Sequence, residues 1–439
     1  MKKTFCFIIL LLTTSLFSQQ QKWTLQQCLD YAHEHNLQLK QSRLNIKQAE
    51  IELQNSKMAY LPNLNFSSSG SWNQNLYTDA GAQNNIFNSN ASVSSGMSLF
   101  EGYKNKYNYK KSALEMKSAT HEYANFEGDM DIQVVMAYLN ILLNKENLAS
   151  LQAQLENSIR QKEKTQAMID AGVLPKGDIA DAEAQITNDN LQVIQAENTY
   201  KLARLNLAQL LEIEDFNTFD ISDEIGELQI DESLLHKDPQ TLFLLGLQND
   251  DKIKIGEFQK EISGYQIKLA KSASYPQLSA NAGLSTGYSD FQPMDLTGSY
   301  LPATDFGQQI KDNLQLNYGL NISIPIFNGV RIKNQIKSAQ LKAEQYDISF
   351  ENDKKQLRNE VYQMHQDLEA AFQSMQAAEA NLNAQRKSYD YALEKFKVGM
   401  LNIFDLNTIK TKYVKAESQY INAKYQYYLK AKILEFTVN

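Results

Sequence analysis

From Leu314 to Ile326 the chain alternates. Leu314, Leu316, Tyr318, Leu320, Ile322, Ile324 and Ile326 are separated by Gln315, Asn317, Gly319, Asn321, Ser323 and Pro325. A period of two predicts a strand with one apolar and one polar face. Segments 64–72, 92–100 and 278–288 have the same character, and the order along the chain pairs 64–72 with 92–100 and 278–288 with 314–326. None of the four contains Asp, Glu, Lys or Arg, in a chain of which 21% is charged. Strands in water usually carry charge on the wet face. Here the polar face is small and neutral, and aromatics (Phe66, Trp72, Phe100, Tyr103, Tyr275, Tyr288, Phe327) stand near the ends. That combination predicts membrane strands of ~10 residues with aromatic girdles, a soluble sheet being the alternative.

The rest reads as helix. The stretch 103–170 has no proline and one glycine, Gly128, and 331–398 has neither. At 1.5 Å per residue each would span ~100 Å. Thr24 with Gln27 three residues on is a capping-box start for a helix running to Met58, and Pro239 opens its counterpart, which runs to Ser272. Heptad seams follow the long segments, predicting helices 178–211 and 404–436. The first seam is Ile179, Ala182, Ile186, Asp189, Val193, Ala196, Tyr200, Ala203, Leu207 and Leu210, with Asp189 its one charged member. The second is Leu406, Ile409, Tyr413, Ala416, Tyr420, Ala423, Tyr427, Lys430 and Leu434. Such seams demand knobs-into-holes partners. The shorter helices, stacked end to end, match a long one in length.

The chain is written twice. Leu99-Phe100-Glu101-Gly102 matches Ile326-Phe327-Asn328-Gly329, and Gly172, Asp178 and Tyr200 match Gly399, Asp405 and Tyr427, all at an offset of 227 residues. Upstream, Pro62 matches Pro276 at an offset of 214, which requires an insertion between Pro276 and Phe327. The expected division is a first repeat over 19–211, an acidic linker over 212–238 and a second repeat over 239–439.

Composition narrows the function. Lys2 and Lys3 before the apolar run Phe5–Leu12, with Ser18 beyond it, read as a secretory signal peptide over 1–18. No later run is apolar enough for a spanning helix. Cys28 is then the only cysteine, and it reads as a packed helix residue. A formal charge of -8 offers no basic surface for nucleic acid. His33 and His35 lie two apart on a helix and do not share a face, which argues against a metal site. No phosphate loop or nucleophile elbow is present, so neither an enzyme nor a cofactor is expected.

Four membrane strands leave two open edges, which lipid does not tolerate, so the sheet must close with further copies. Two chains give eight strands and a filled interior; three give twelve and a lumen. The alternative is a secreted or periplasmic structural coiled-coil protein.

The order of these features resembles the TolC-like outer-membrane efflux family. The resemblance rests on Trp23-Thr24-Leu25, on Tyr60-Leu61-Pro62 and Tyr275-Pro276 at the strand entrances, and on Phe100 with Gly102 and Phe327 with Gly329 at the exits. It also rests on two helix-turn tips, Ala171-Gly172-Val173 with Asp178 and Val398-Gly399-Met400 with Asp405. It implies a mostly α fold with a membrane β-barrel portion: a homotrimer whose 12-stranded barrel continues into a long α-helical barrel. It further implies a location in the outer membrane and periplasm, and for 212–238, as the alternative to a solvated linker, an equatorial girdle around the middle of the helical barrel. The expected partners are outer-membrane lipids, a periplasmic adaptor and an inner-membrane transporter of RND, ABC or MFS type, and the expected role is drug efflux or type I secretion. The tips would form the periplasmic entrance and the adaptor contact, with Gly399 and Asp405 on the family's tip glycine and first ring acid. Where family members carry a second acid this chain has Thr408, and where some carry a latching arginine it has Leu401. Asp178 has Asp181 one turn on. An entrance closed more by Met400, Leu401 and Phe404 than by salt bridges is the resulting expectation.

Overall fold

The computed structural model describes residues 22–74, 85–216, 218–222, 231–293, 296–297, 299 and 301–438. The expected signal peptide lies outside these residues. The elements run α1 (Leu25–His35), α2 (Leu37–Met58), β1 (Asn63–Gln74), β2 (Asn85–Glu101), α3 (Lys104–Asp170), α4 (Asp178–Leu210), α5 (Pro239–Asn249), α6 (Asp251–Ser272), β3 (Gln277–Ser289), α7 (Phe306–Asp312), β4 (Gln315–Ser323), α8 (Arg331–Lys397) and α9 (Ile403–Val438). The chain divides into two compact units: residues 1–43, 123–251 and 354–439 form one, and residues 44–122 and 252–353 the other.

The second unit holds one antiparallel sheet in the order β1-β2-β3-β4. Its register explains the alternation. Phe66 lies opposite Val93, Val93 opposite Leu284, and Leu284 opposite Leu316. Directly opposed residues share a face, so one face carries Leu64, Phe66, Trp72, Val93, Leu284, Leu316, Tyr318 and Leu320. The other carries Ser, Asn, Gln and Gly, with Ser67 and Ser92 hydroxyls 2.7 Å apart. A bulge between Ser98 and Phe100 skips Leu99 and so keeps Phe100 on the apolar face. The apolar face is bare: Leu64, Phe66, Trp72, Tyr318 and Leu320 are 69–82% exposed.

β2 and β1 are longer than the alternation predicts, and β4 ends at Ser323 rather than Ile326. Pro325 has no N–H for the ladder, which removes the last three positions. α7 occupies the expected insertion and is tied to the sheet by Thr286, whose hydroxyl donates to the Ile310 carbonyl at 2.7 Å.

Each long helix leaves its strand through two successive left-handed residues: Gly102 (φ 59) with Tyr103 (φ 67), and Gly329 (φ 62) with Val330 (φ 62). Only the glycines were legible in the sequence. At Gly102 a Cβ would stand 2.6 Å from the Ser272 carbonyl oxygen and 2.7 Å from Tyr275 Cβ. Space and backbone conformation both demand glycine there.

The first unit is helical. Its largest core joins Leu25, Cys28, Leu29 and Ala32 of α1 to Val134, Tyr138 and Ile141 of α3 and Leu207 of α4. The single helix expected over 24–58 is two helices, and so is that over 239–272. Asn36 (φ -59, ψ 128) and Asp250 (φ -61, ψ 122) adopt extended backbone and end α1 and α5. Neither is a proline or glycine. They lie 214 residues apart, the offset that relates Pro62 and Pro276.

The acidic segment after α4 is not a solvated linker in its described part. Phe219 and Ile221 are buried in the core. Trp23 N–H donates to the Asp220 carbonyl, and Ser222 N–H to the Trp23 carbonyl. Arg204 Nε reaches the Phe219 carbonyl at 2.9 Å, and Tyr200 donates to Asp220 at 2.9 Å.

Candidate functional site: the paired helix tips

The two tips are built alike. Gly172 (φ 75) ends α3 and Gly399 (φ 73) ends α8. Val173 N–H donates to the Met168 carbonyl and Gly172 N–H to Ile169; Met400 and Gly399 repeat this on Lys395 and Phe396. These are Schellman caps, in which a left-handed glycine lets the chain turn back onto the last carbonyls. The next helices start differently. The Asn402 carboxamide oxygen accepts from Asp405 N–H at 2.8 Å, and its Nδ2 donates to the Asp405 carboxylate at 2.9 Å. Asp405 is thus held by the cap, whereas Asn402 is the cap itself. In the other tip Gly177 stands at the cap with no side-chain bond, and Asp178 and Asp181 supply first-turn negative charge.

The structure brings the tips together. A Cβ at Gly399 would lie 3.6 Å from Val173 Cγ1. Met168 and Leu174 of the first tip pack on a cluster of Ala392, Phe396, Ile403 and Leu406 from the second. Leu401 joins that cluster, while Met400 and Phe404 are exposed. The three apolar residues expected to act together therefore divide: Leu401 braces its own chain and the other two face outward. Asp181, Gln185, Phe404, Asn407 and Thr408 line an open groove of about 330 Å³ between the starts of α4 and α9. Pro62, Phe100, Gly102, Pro276, Phe327 and Gly329 belong to the strand ends of the other unit.

One feature near the tips escaped the sequence reading. Asp189 and Lys410 are each 4% exposed. Lys410 Nζ donates to Asp189 Oδ2 at 3.1 Å and to the Ser158 hydroxyl, which in turn donates to Asp189. Gln185 Nε2 satisfies the second carboxylate oxygen at 2.8 Å. Burial lowers the Lys410 pKa, and the neighbouring carboxylate offsets part of that. Asp189 stood out as the charged seam member. Lys410 did not, because it lies off the α9 heptad, on a second buried face with Ile421 and Tyr425.

Elsewhere, His33 Nε2 lies 2.5 Å from Asp131, and His35 stacks on Tyr31 with ring centroids 3.9 Å apart. The two histidines thus serve different partners. Burial raises the Asp131 pKa, with His33 opposing.

These features have counterparts. Residues 28–212 and 245–437 match the family model described as outer membrane efflux protein. The chain is 24% identical to outer membrane protein TolC of Escherichia coli (strain K12), covering 97% of this chain and 84% of that one. Two solved structures share the fold. The Campylobacter jejuni CmeC outer membrane channel superposes with a TM-score of 0.75 at 18% identity, covering 94% of this chain and 85% of that one. VceC, an outer membrane protein of Vibrio cholerae, gives 0.72 at 15%, covering 94% of each. Match and fold agree along nearly the whole described chain: it belongs to the outer membrane efflux protein family, a family of outer-membrane efflux channels and not of enzymes.

Proposed function

We propose that the chain forms a homotrimeric duct, a 12-stranded β-barrel continuing into a long α-helical barrel, with two structural repeats per subunit. It serves as the passive exit of a tripartite efflux or type I secretion system. The sheet carries the argument. It offers a bare, uncharged apolar face and two unpaired edges, β1 and β4, among the described residues. Lipid would accept that face but not those edges, and three copies close them around a water-filled lumen. The duplicated turns at Gly102/Gly329 and Gly172/Gly399 support the repeats. A soluble coiled-coil protein would have no use for such a face.

In this reading the tips are the periplasmic entrance. Met400 and Phe404 project from them and narrow it by apolar contact. The groove lined by Asp181, Phe404 and Thr408 receives the adaptor, and an inner-membrane transporter supplies cargo and energy. Native mass spectrometry and planar-bilayer recording of the purified protein test this. A detergent-borne trimer with discrete openings, enlarged by Met400→Ala with Phe404→Ala, is the expected result. A monomer that is soluble without detergent and never conducts would refute it.

A further inference from the structure

Four helices meet one end of the sheet: α2 and α6 run into β1 and β3, and α3 and α8 leave β2 and β4. The stretches that make these junctions, 53–61, 102–114, 262–275 and 328–343, hold eleven Lys and Arg and no Asp or Glu, in a chain whose acids outnumber its bases 51 to 43. All four stretches lie in one compact unit. The segments that join strands at the opposite end, 75–84 and 290–314, carry five Asp against Lys311 alone. The cations are confined to one rim.

Helix polarity does not explain them. It favours Lys57 and Lys271, in the last turns of α2 and α6. It disfavours Lys104, Lys106, Arg331 and Lys333, which crowd the first turns of α3 and α8, where no acid stands. Internal ion pairs do not explain them either. Only Lys104 and Lys111 have a carboxylate partner among the described residues, Glu101 at 3.4 Å and Glu115 at 2.7 Å. All but Lys111 are exposed. Tyrosines stand among them. Tyr60, Tyr103, Tyr109 and Tyr275 are exposed, Lys57 Nζ lies 5.8 Å from the Tyr109 ring centre, and Lys268 Nζ lies 4.5 Å from that of Tyr265. Exposed cations interleaved with amphipathic rings, continuous with a bare apolar face, suit the layer where hydrocarbon gives way to water.

We propose that this rim is a collar for the phosphates of anionic phospholipids in the periplasmic leaflet. The proposal rests on the membrane-spanning reading of the sheet given above. From Lys104 to Lys111 the cations span ~10 Å of α3. One headgroup layer is ~5–8 Å deep. The first turn of α3 thus lies within the layer, and the flexible stem of Lys110 reaches back to it. A zwitterionic headgroup offers such a cluster no net charge to neutralise, whereas an anionic one does.

Lipid titration of the full chain in detergent, read by native mass spectrometry, tests this. The probes are phosphatidylglycerol and phosphatidylcholine with the same acyl chains. Phosphatidylglycerol should bind roughly tenfold more tightly, and about 0.5 M ammonium acetate should abolish the difference. Lys104→Gln, Lys106→Gln, Lys271→Gln, Arg331→Gln, Lys333→Gln and Lys337→Gln together should remove the preference at unchanged helix content. A control with Lys40→Gln, Lys164→Gln, Lys176→Gln, Lys387→Gln, Lys412→Gln and Lys415→Gln, all exposed in the other unit, should keep it. No preference in the unsubstituted chain, or one that the collar variant keeps, overturns the proposal. So does a collar variant that changes ion selectivity in planar bilayers but binds both lipids as before, since its cations then face the lumen. So does one that loses only retention on purified peptidoglycan, since the rim is then a cell-wall contact. A chain that stays soluble without detergent and binds neither lipid overturns the membrane reading, and the collar with it.

Discussion

Tyr318 in β4 is a large apolar ring that is 82% exposed, whereas Lys410 in α9 is a cation that is 4% exposed. In water a bare ring is unfavourable, and a buried cation is tolerated only when paired. The sheet has no charge on its bare face, so it is fitted to an apolar surrounding. The helical unit has water outside and tolerates a charge inside because every polar atom of Asp189 finds a donor. One chain thus follows two solvation rules, and each rule predicts which substitutions its own region refuses.

The largest effect is expected in the helical unit. Lys410→Met alone strands a buried Asp189 and should destabilise by about 3–5 kcal/mol, while Lys410→Met with Asp189→Leu should be near neutral. Thermal unfolding followed by circular dichroism separates the two. In the sheet the sign of the surroundings can be read directly. Leu320→Arg should cost about 2–4 kcal/mol and deplete the outer-membrane fraction, whereas Asn321→Lys, one residue on and on the other face, should be tolerated. Equal losses would break the comparison.

Glycines sharpen it further. Gly102 and Gly399 share a left-handed backbone, but a Cβ at Gly102 meets backbone at 2.6 Å and one at Gly399 meets only a methyl at 3.6 Å. Gly102→Ala should therefore lower stability by about 2–3 kcal/mol and Gly399→Ala by about 1 kcal/mol, checked by the same melts. The smallest effect is alkaline. Burial, more than its neighbours Tyr413, Asp390 and Asp189, raises the Tyr389 pKa above 10.0. The folded state then resists losing that proton. Its contribution is whole below pH 10 and declines as pH rises through the folded value. Tyr389→Phe should flatten the loss of stability above pH 10 in melts at stepped pH.

What the sequence disclosed follows from the same two rules. Period-two alternation without charge identified all four strands, because the register puts the apolar residues of every second position on one face. The tip glycines and the duplicated caps were legible because only glycine turns there cheaply. The breaks at Asn36 and Asp250 were not, since both residues sit in otherwise helical runs; at Asn36 the side chain caps α2, its Oδ1 accepting from the Gln38 and Leu39 N–H groups. The acidic segment hid Phe219 and Ile221 among its charges. Lys410 was missed because a heptad describes one face of a helix, and α9 buries two.

The central claim is that the apolar face of the sheet meets lipid. With Trp23 and Trp72 replaced by Phe, Tyr318→Trp and Asn317→Trp each give one reporter, on opposite faces of β4. In proteoliposomes, the account predicts blue-shifted emission quenched by brominated acyl chains for Tyr318→Trp. For Asn317→Trp it predicts red-shifted emission quenched by aqueous iodide. Iodide quenching of both, with no effect of brominated lipid, would contradict it.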